Sequence, residues 1–325
     1  MKLYPWLEPY WGRLQGAIRE ARLPHALLIS GPAGVGKRVL AMALARRVLC
    51  LQPDNENACG VCQSCQLFAA GTHADLQLIE TLDDSKVIKV DQIRELIERN
   101  SLTPHIANIK VHLLQDVHLM NTNAANSLLK TLEEPSTNSL LILLTDRPEN
   151  LTATIRSRCQ QIQIATPDTS QSLSWLEQQN IPGQAALLLS LAQGAPLKAL
   201  AMADDGQLAL RKQVFTEFGK VIFNKLDPVQ VATDWQSHDK ALLIIWLINW
   251  TVDMMRIKFG IDSQNIDNKD FAAGLKKIAG HKSHQQLFEL YASLLESGRL
   301  LNTQVNANLL LESLLLNWVH KDGNN

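Results

Sequence analysis

The sequence offers little to a membrane, an export pathway or a nucleic acid met as a bulk polyanion. Lysine plus arginine number 31 against 32 aspartate plus glutamate, a formal net charge of −1. No global positive field gathers DNA or RNA, so any such contact has to be local or shared with partners. The N-terminal stretch MKLYPWLEPYWGRL has no unbroken apolar core, because Pro5, Glu8 and Pro9 interrupt it; it does not read as a signal peptide. The most apolar run, ALLIIWLINWTVDMM at 241–255, is short and is bracketed or interrupted by Lys240, Asp253 and Arg256. A buried helix is expected there, not a membrane span. With no export signal, the cytoplasm is the expected compartment, and structural disulfides are not expected in it. Aromatic residues are scarce, 5% against 46% hydrophobic, which suits a helix-rich globular chain. At 325 residues the chain is too long for one ordinary core, and two or three domains are expected.

Residues 1–165 alternate apolar strand patterns with amphipathic helical ones. Strands are expected at 26–30, 76–79, 109–115, 139–144 and 160–164, and helices at 37–49, 91–99 and 122–134. The last helix places Ala125, Leu128, Leu129 and Leu132 on one face and stops at Pro135. Such alternation predicts an α/β module with a parallel, covered sheet. ATPDTSQS at 165–172 is a turn-rich break, followed by a small helical segment to about 205 and, to the end, only helical patterns. The final helix, 306–320, carries Leu309, Leu310, Leu311, Leu314, Leu315, Leu316 and Trp318. Its apolar surface is wider than two-layer packing needs, which suits either a central core helix or a subunit interface.

What is missing is most informative at residues 31–38, GPAGVGKR. Gly31, Gly36 and Lys37 complete the phosphate-loop pattern G-x-x-x-x-G-K, with Gly34 between them, and the loop follows a strand and opens a helix. The next residue should be Ser or Thr, whose hydroxyl holds magnesium, but it is Arg38. An ATPase also needs an acidic pair at the end of a buried strand, to order magnesium and activate water. After the apolar run at 111–114 the two positions are Gln115 and Asp116. Two departures in the same chemistry predict poor or absent hydrolysis and no Mg2+, while Lys37 and the loop amides can still cradle the phosphates of ATP or ADP.

Four of the five cysteines fall within 16 residues: Cys50, Cys59, Cys62 and Cys65 in a C-x8-C-x2-C-x2-C pattern. Four thiolates close a tetrahedral shell around Zn2+ and leave no open position for catalysis, so a structural site is expected. The alternatives are an iron–sulfur cluster, although the ferredoxin run places its fourth Cys downstream and follows it with Pro, a set in which His73 replaces one thiolate, and unliganded thiols. Cys159 stands apart and reads as a small packing residue. A zinc-dependent nucleic-acid binder is disfavoured, because 50–66 contains no Lys or Arg.

The stretches HALLISGPAGVGK, the cysteine cluster after the first helix, QDVHLMNTNAANSLLKTLEEP and TATIRSRCQ together resemble bacterial clamp-loader subunits of the AAA+ family. The resemblance runs from YPW near the start to NANLLLESLLLNW near the end. It implies a zinc-bearing AAA+ module (1–165, insertion 50–65), a small helical lid (166–205) and a helical collar (206–325). It also implies a place in the DNA polymerase III holoenzyme: a hetero-pentamer with delta and gamma/tau subunits that loads the sliding clamp onto primer-template DNA. Catalytic gamma/tau subunits share the zinc module and the LLKTLEEP helix but keep the magnesium ligands, so the resemblance points to a non-hydrolysing, stator-like member. The alternative is a competent ATPase of gamma/tau type with nonstandard metal ligands.

The resemblance gives three further residues a reading. Arg158, in SRC at 157–159, would be an arginine finger acting on ATP held by the neighbouring subunit. A guanidinium in that role is worth roughly 10^3 to 10^5 in rate. The bland reading is a surface arginine paired with a carboxylate. GAPLKAL at 194–200 places Leu197 where catalytic relatives carry a sensing arginine, and Lys198 points about 100° away on a helix. Thr145 matches the polar sensor position of the sheet, and a strand-end hydroxyl capping a turn explains it equally well.

Overall fold

The structure, a computed structural model, describes residues 3–54, 57–82, 85, 87–179, 181, 184–204, 206–262, 265–301 and 305–319. His320, the expected end of the last helix, and residue 205, the expected end of the lid, lie outside the described residues. Two compact units divide the chain: residues 1–175 with 194–198, and residues 176–193 with 199–325.

The first unit is built on five parallel strands: β1 (Ala26–Ser30), β2 (Leu76–Ile79), β3 (Lys110–Leu114), β4 (Ser139–Thr145) and β5 (Gln160–Gln163). Their order is β2-β3-β4-β1-β5, with β1 registered between β4 and β5. Its helices are α1 (Glu8–Arg19), α2 (Lys37–Leu49), α3 (Gln63–Ala69), α4 (Val90–Ser101), α5 (Thr122–Glu133) and α6 (Ala153–Arg158). β1, β3 and β4 are buried on both faces, which is why they read as continuous apolar runs and not as alternating ones. Ala26, Leu28, Leu141 and Leu143 face Ile93 and Leu96 of α4, Leu128 and Leu132 of α5, and Ile155 of α6. Leu27, Ile29, Ile142 and Leu144 face the opposite layer, with Leu40, Ala41 and Leu44 of α2 and Trp11 and Leu14 of α1. Cys159 is buried in the α4–α6 layer and packs as a small apolar residue.

The strands and the three expected helices fall within two residues of the sequence reading at each end. Three helices were not read from the sequence. Pro9 lies in the first turn of α1, where a missing N–H costs nothing; a residue read as a break is a start. α3 is capped by Cys62, whose Sγ accepts the Cys65 N–H, and α6 by Thr152, whose hydroxyl accepts the Ile155 N–H. Short capped helices like these leave too few turns for a periodic signal.

The remaining helices are α7 (Thr169–Glu177), α8 (Ala185–Leu191), α9 (Pro196–Asp204), α10 (Gln207–Ile222), α11 (Pro228–Asp234), α12 (Lys240–Lys258), α13 (Ala272–His281), α14 (His284–Leu300) and α15 (Ala307–Val319). The second unit contains no strand among its described residues. Its core gathers Phe218, Trp235, Leu247, Trp250, Leu290 and Trp318. The apolar run at 241–255 is the buried helix α12, and among the described residues no single helix is long and apolar enough to cross a membrane. Leu311, Leu314, Leu315 and Trp318 of α15 are buried in this core, whereas Leu309 is exposed. A buried polar network braces it: Arg211 donates to Asp270 and Asn268, and Asn268 donates in turn to Asp253 at 2.7 Å and 2.8 Å.

Candidate phosphate-loop site and metal centre

The loop between β1 and α2 needs glycine for steric reasons. A Cβ on Gly31 would stand 2.3 Å from the Ile164 carbonyl oxygen, and one on Gly34, at φ +81, would stand 2.8 Å from the Lys198 backbone nitrogen. Gly36 is the N-cap of α2. Gly34 also accepts the Leu197 N–H at 3.1 Å, which fixes Leu197 against the loop.

The loop borders a cavity of about 270 Å3 lined by Gly34, Gly36, Lys37, Arg38, Gln115, Asp116, Asp146 and Leu197, among others. Lys37 is 8% exposed. Its ammonium donates to the carbonyls of Gly31 at 2.8 Å and Pro32 at 2.7 Å and pairs with Asp146. An ammonium has three donors, and this one has three acceptors within the protein. Arg38 reaches Glu80 across 3.5 Å in a solvated pair. Asp116 leaves β3 in the left-handed region at φ 51, which aspartate tolerates better than most side chains. Gln115 donates to Asp116 at 3.3 Å, while its buried Oε1 has no hydrogen-bond partner among the described residues. No hydroxyl stands at residue 38 and no carboxylate at residue 115 to take up a divalent cation there.

Gly31, Thr145 and Arg158 are not among the residues that line this cavity. The Gly31 carbonyl is an acceptor of the Lys37 ammonium. Thr145 is fully buried; its hydroxyl accepts the Arg147 N–H at 3.0 Å and meets His118 Nδ1 at 3.1 Å. Arg158, at the end of α6, pairs with Glu133 at 2.6 Å and donates to the Thr154 carbonyl at 3.1 Å.

The cysteines form a separate centre. The four Sγ atoms of Cys50, Cys59, Cys62 and Cys65 all lie within 4.8 Å of one another. Cys50 Sγ is 3.6 Å from that of Cys59 and 3.9 Å from that of Cys62. Bonds of about 2.3 Å to a tetrahedral zinc imply S···S edges of about 3.8 Å, so the donor set fits. Burial pushes the Cys65 thiol up to about 12. At Cys62 burial is outweighed by amide donors, those of Cys65 and Leu51, and the thiol falls to about 6. A divalent cation would favour the thiolate at all four positions.

His73 is committed elsewhere. Its Nε2 meets Ser64 Oγ at 2.8 Å and its Nδ1 accepts the Asp75 N–H at 3.1 Å. Ser64 donates to the Leu49 carbonyl at 2.6 Å. The Asp75 carboxylate accepts the N–H groups of His105, Ile106 and Ala107 at 2.7–2.8 Å. This chain of bonds ties the cysteine insert to the end of α2 and to the sheet.

Sequence reasoning missed Asp146, Glu133 and Glu80 as partners of the selected cations. Asp146 carried a usable signal: an acidic residue directly after the apolar run of β4, the strand beside β1.

A phosphate loop after β1 of a parallel β5-β1-β4-β3-β2 sheet defines an AAA+ module, and the insert between α2 and β2 carries four cysteines that could hold a metal ion. Residues 7–168 match the family model described as DNA polymerase III, delta subunit, and residues 205–320 its C-terminal counterpart. The chain is 35% identical to the DNA polymerase III subunit delta′ of Pseudomonas aeruginosa, over 99% of this chain and 98% of that one. It is 32% identical to the delta′ subunit of Escherichia coli, over 98% and 96%. The tau subunit of Escherichia coli is 33% identical over 67% of this chain and 34% of its own length. The chain belongs to the DNA polymerase III delta′ subunit family.

Proposed function

We propose that this chain is a non-hydrolysing, stator-like member of the clamp loader. In this reading it presents Arg158 to ATP held by a neighbouring subunit and keeps its own phosphate loop as a scaffold. One observation carries the reading of the loop: the Lys37 ammonium is saturated by Gly31, Pro32 and Asp146, while Arg38 and Gln115 stand where cation ligands are required. Arg158 keeps a solvent-facing place at the end of α6, with a side chain about one third exposed, within reach of a molecule packed on that face. The cysteine centre takes zinc as a structural ion held by Cys50, Cys59, Cys62 and Cys65.

The assembly is a hetero-pentamer with delta and gamma/tau subunits, acting on the sliding clamp and primer-template DNA in the cytoplasm. The division into an AAA+ module (1–165), lid (166–205) and oligomerising collar (206–325) belongs to the same proposal, with the exposed Leu309 on α15 available to a collar contact. Nucleotide in the loop, if bound, sits without magnesium ligands from this chain.

The test is a reconstituted clamp loader carrying Arg158→Ala. The complex should assemble normally, with slowed DNA-stimulated ATP hydrolysis and clamp loading; unchanged rates refute the finger. Robust ATP turnover by the isolated chain would instead favour the gamma/tau-type reading.

A further inference from the structure

The contact between Glu133 and Arg158 joins two helix ends that the fold brings together. α5 stops at Glu133 before Pro135, and Leu128 and Leu132 of α5 share a core layer with Ile155 of α6. That packing sets the C-terminal end of α5 beside Arg158, the last residue of α6. A carboxylate at a helix C-terminus is unfavourably placed against the macrodipole, and a cation there is favourably placed. Arg158 satisfies both ends at once. Its Nη2 pairs with Glu133 at 2.6 Å and its Nη1 donates to the Thr154 carbonyl at 3.1 Å. The two terminal nitrogens are thus anchored to two different helices, which fixes the plane of the guanidinium. Both side chains remain about one third to one half exposed, and pairs this solvated contribute little to stability. What the contact does supply is a bias in orientation: a long, flexible side chain favours one pose before any ligand arrives.

We propose that Glu133 is a positioning residue for Arg158. It holds the guanidinium at the module surface in the pose in which the unanchored edge meets an oxyanion on the neighbouring subunit. The proposal rests on the reading of Arg158 given above. No proton or group is transferred; the guanidinium bridges the carboxylate to the phosphate.

The test uses the full reconstituted complex and single-turnover ATP hydrolysis, with Glu133→Ala, Glu133→Gln, Arg158→Ala and the double variant Glu133→Ala/Arg158→Ala. Loss of orientation at a reacting centre costs about tenfold or more in rate. Glu133→Ala should therefore slow the chemical step about tenfold, with KM for ATP and complex assembly unchanged. Glu133→Gln, which keeps a hydrogen-bonding oxygen, should recover part of that loss. The double variant should be no slower than Arg158→Ala alone, because the glutamate acts only through the arginine. If Glu133→Ala runs at the wild-type rate while Arg158→Ala is slow, the positioning role is overturned and the finger stands. A double variant slowed by the product of the two single effects, or a Glu133→Ala complex that fails to assemble, makes Glu133 structural and overturns the proposal. If Arg158→Ala itself runs at the wild-type rate, the finger is refuted and the positioning role goes with it.

Discussion

The Lys37 ammonium and the Asp146 carboxylate form an ion pair inside the phosphate loop's own cavity. The lysine that a nucleotide would recruit is already neutralised, by a residue that follows the strand beside β1. A loop satisfied in this way needs no phosphate to stay ordered.

Releasing that lysine should therefore open the cradle. Asp146→Asn removes the competing charge, and a charge-assisted hydrogen bond is worth roughly 1.5–3 kcal/mol. We expect adenine nucleotide to bind the isolated variant about tenfold more tightly than the parent chain, measured by calorimetry without magnesium. Lys37→Ala in the same background should abolish the gain. An unchanged affinity would mean that the ion pair does not compete with phosphate.

The cysteine centre predicts one tightly held metal ion per chain. Elemental analysis should give about one zinc, and chelation should lower the melting temperature and free four thiols to titration. Structural zinc contributes on the order of 10 kcal/mol to local folding, so Cys65→Ser should destabilise the insert severely. His73→Ala should leave the zinc stoichiometry at one, because both imidazole nitrogens serve the anchor from Ser64 to Asp75.

His112 predicts a pH dependence. Burial in β3, reinforced by the positive charges of Lys110 and Arg99, holds its imidazole down to about 4, against an ordinary value of about 6.5. Between those values the unfolded chain takes up a proton that the folded chain refuses, so stability rises with pH there. The contribution is full above about pH 6.5 and falls by about 3 kcal/mol as pH drops to about 4. His112→Gln should flatten that part of the profile when urea midpoints are followed against pH. An identical slope in the variant would assign the effect to other groups.

Arg211 tests the polar brace of the helical unit. It is 1% exposed, bonded to Asp270 and Asn268, and its guanidinium carbon lies 4.2 Å from the Phe271 ring centroid. Removing one partner of a buried charged network costs about 3–5 kcal/mol. Arg211→Met should show a loss of that size in urea unfolding, with the zinc content unchanged. A loss under about 1 kcal/mol would show that the network relaxes around the gap.

Much of this molecule is written locally. The phosphate loop, the cysteine spacing and the buried strands are readable because each depends on residues close together in sequence: a glycine turn that only certain dihedrals allow, four thiols within one short insert, apolar runs long enough for a strand covered on both faces. The absence of a hydroxyl at residue 38 and of an acid at residue 115 is read in the same way. Tertiary structure decided what those residues face. Lys37 meets Asp146 because β4 lies beside β1; Arg158 meets Glu133 because α5 and α6 share a core layer; Arg211 is buried by helices whose contacts no local pattern announces. Such pairings form between segments distant in the chain, and only strand order and helix packing bring them within a few ångströms.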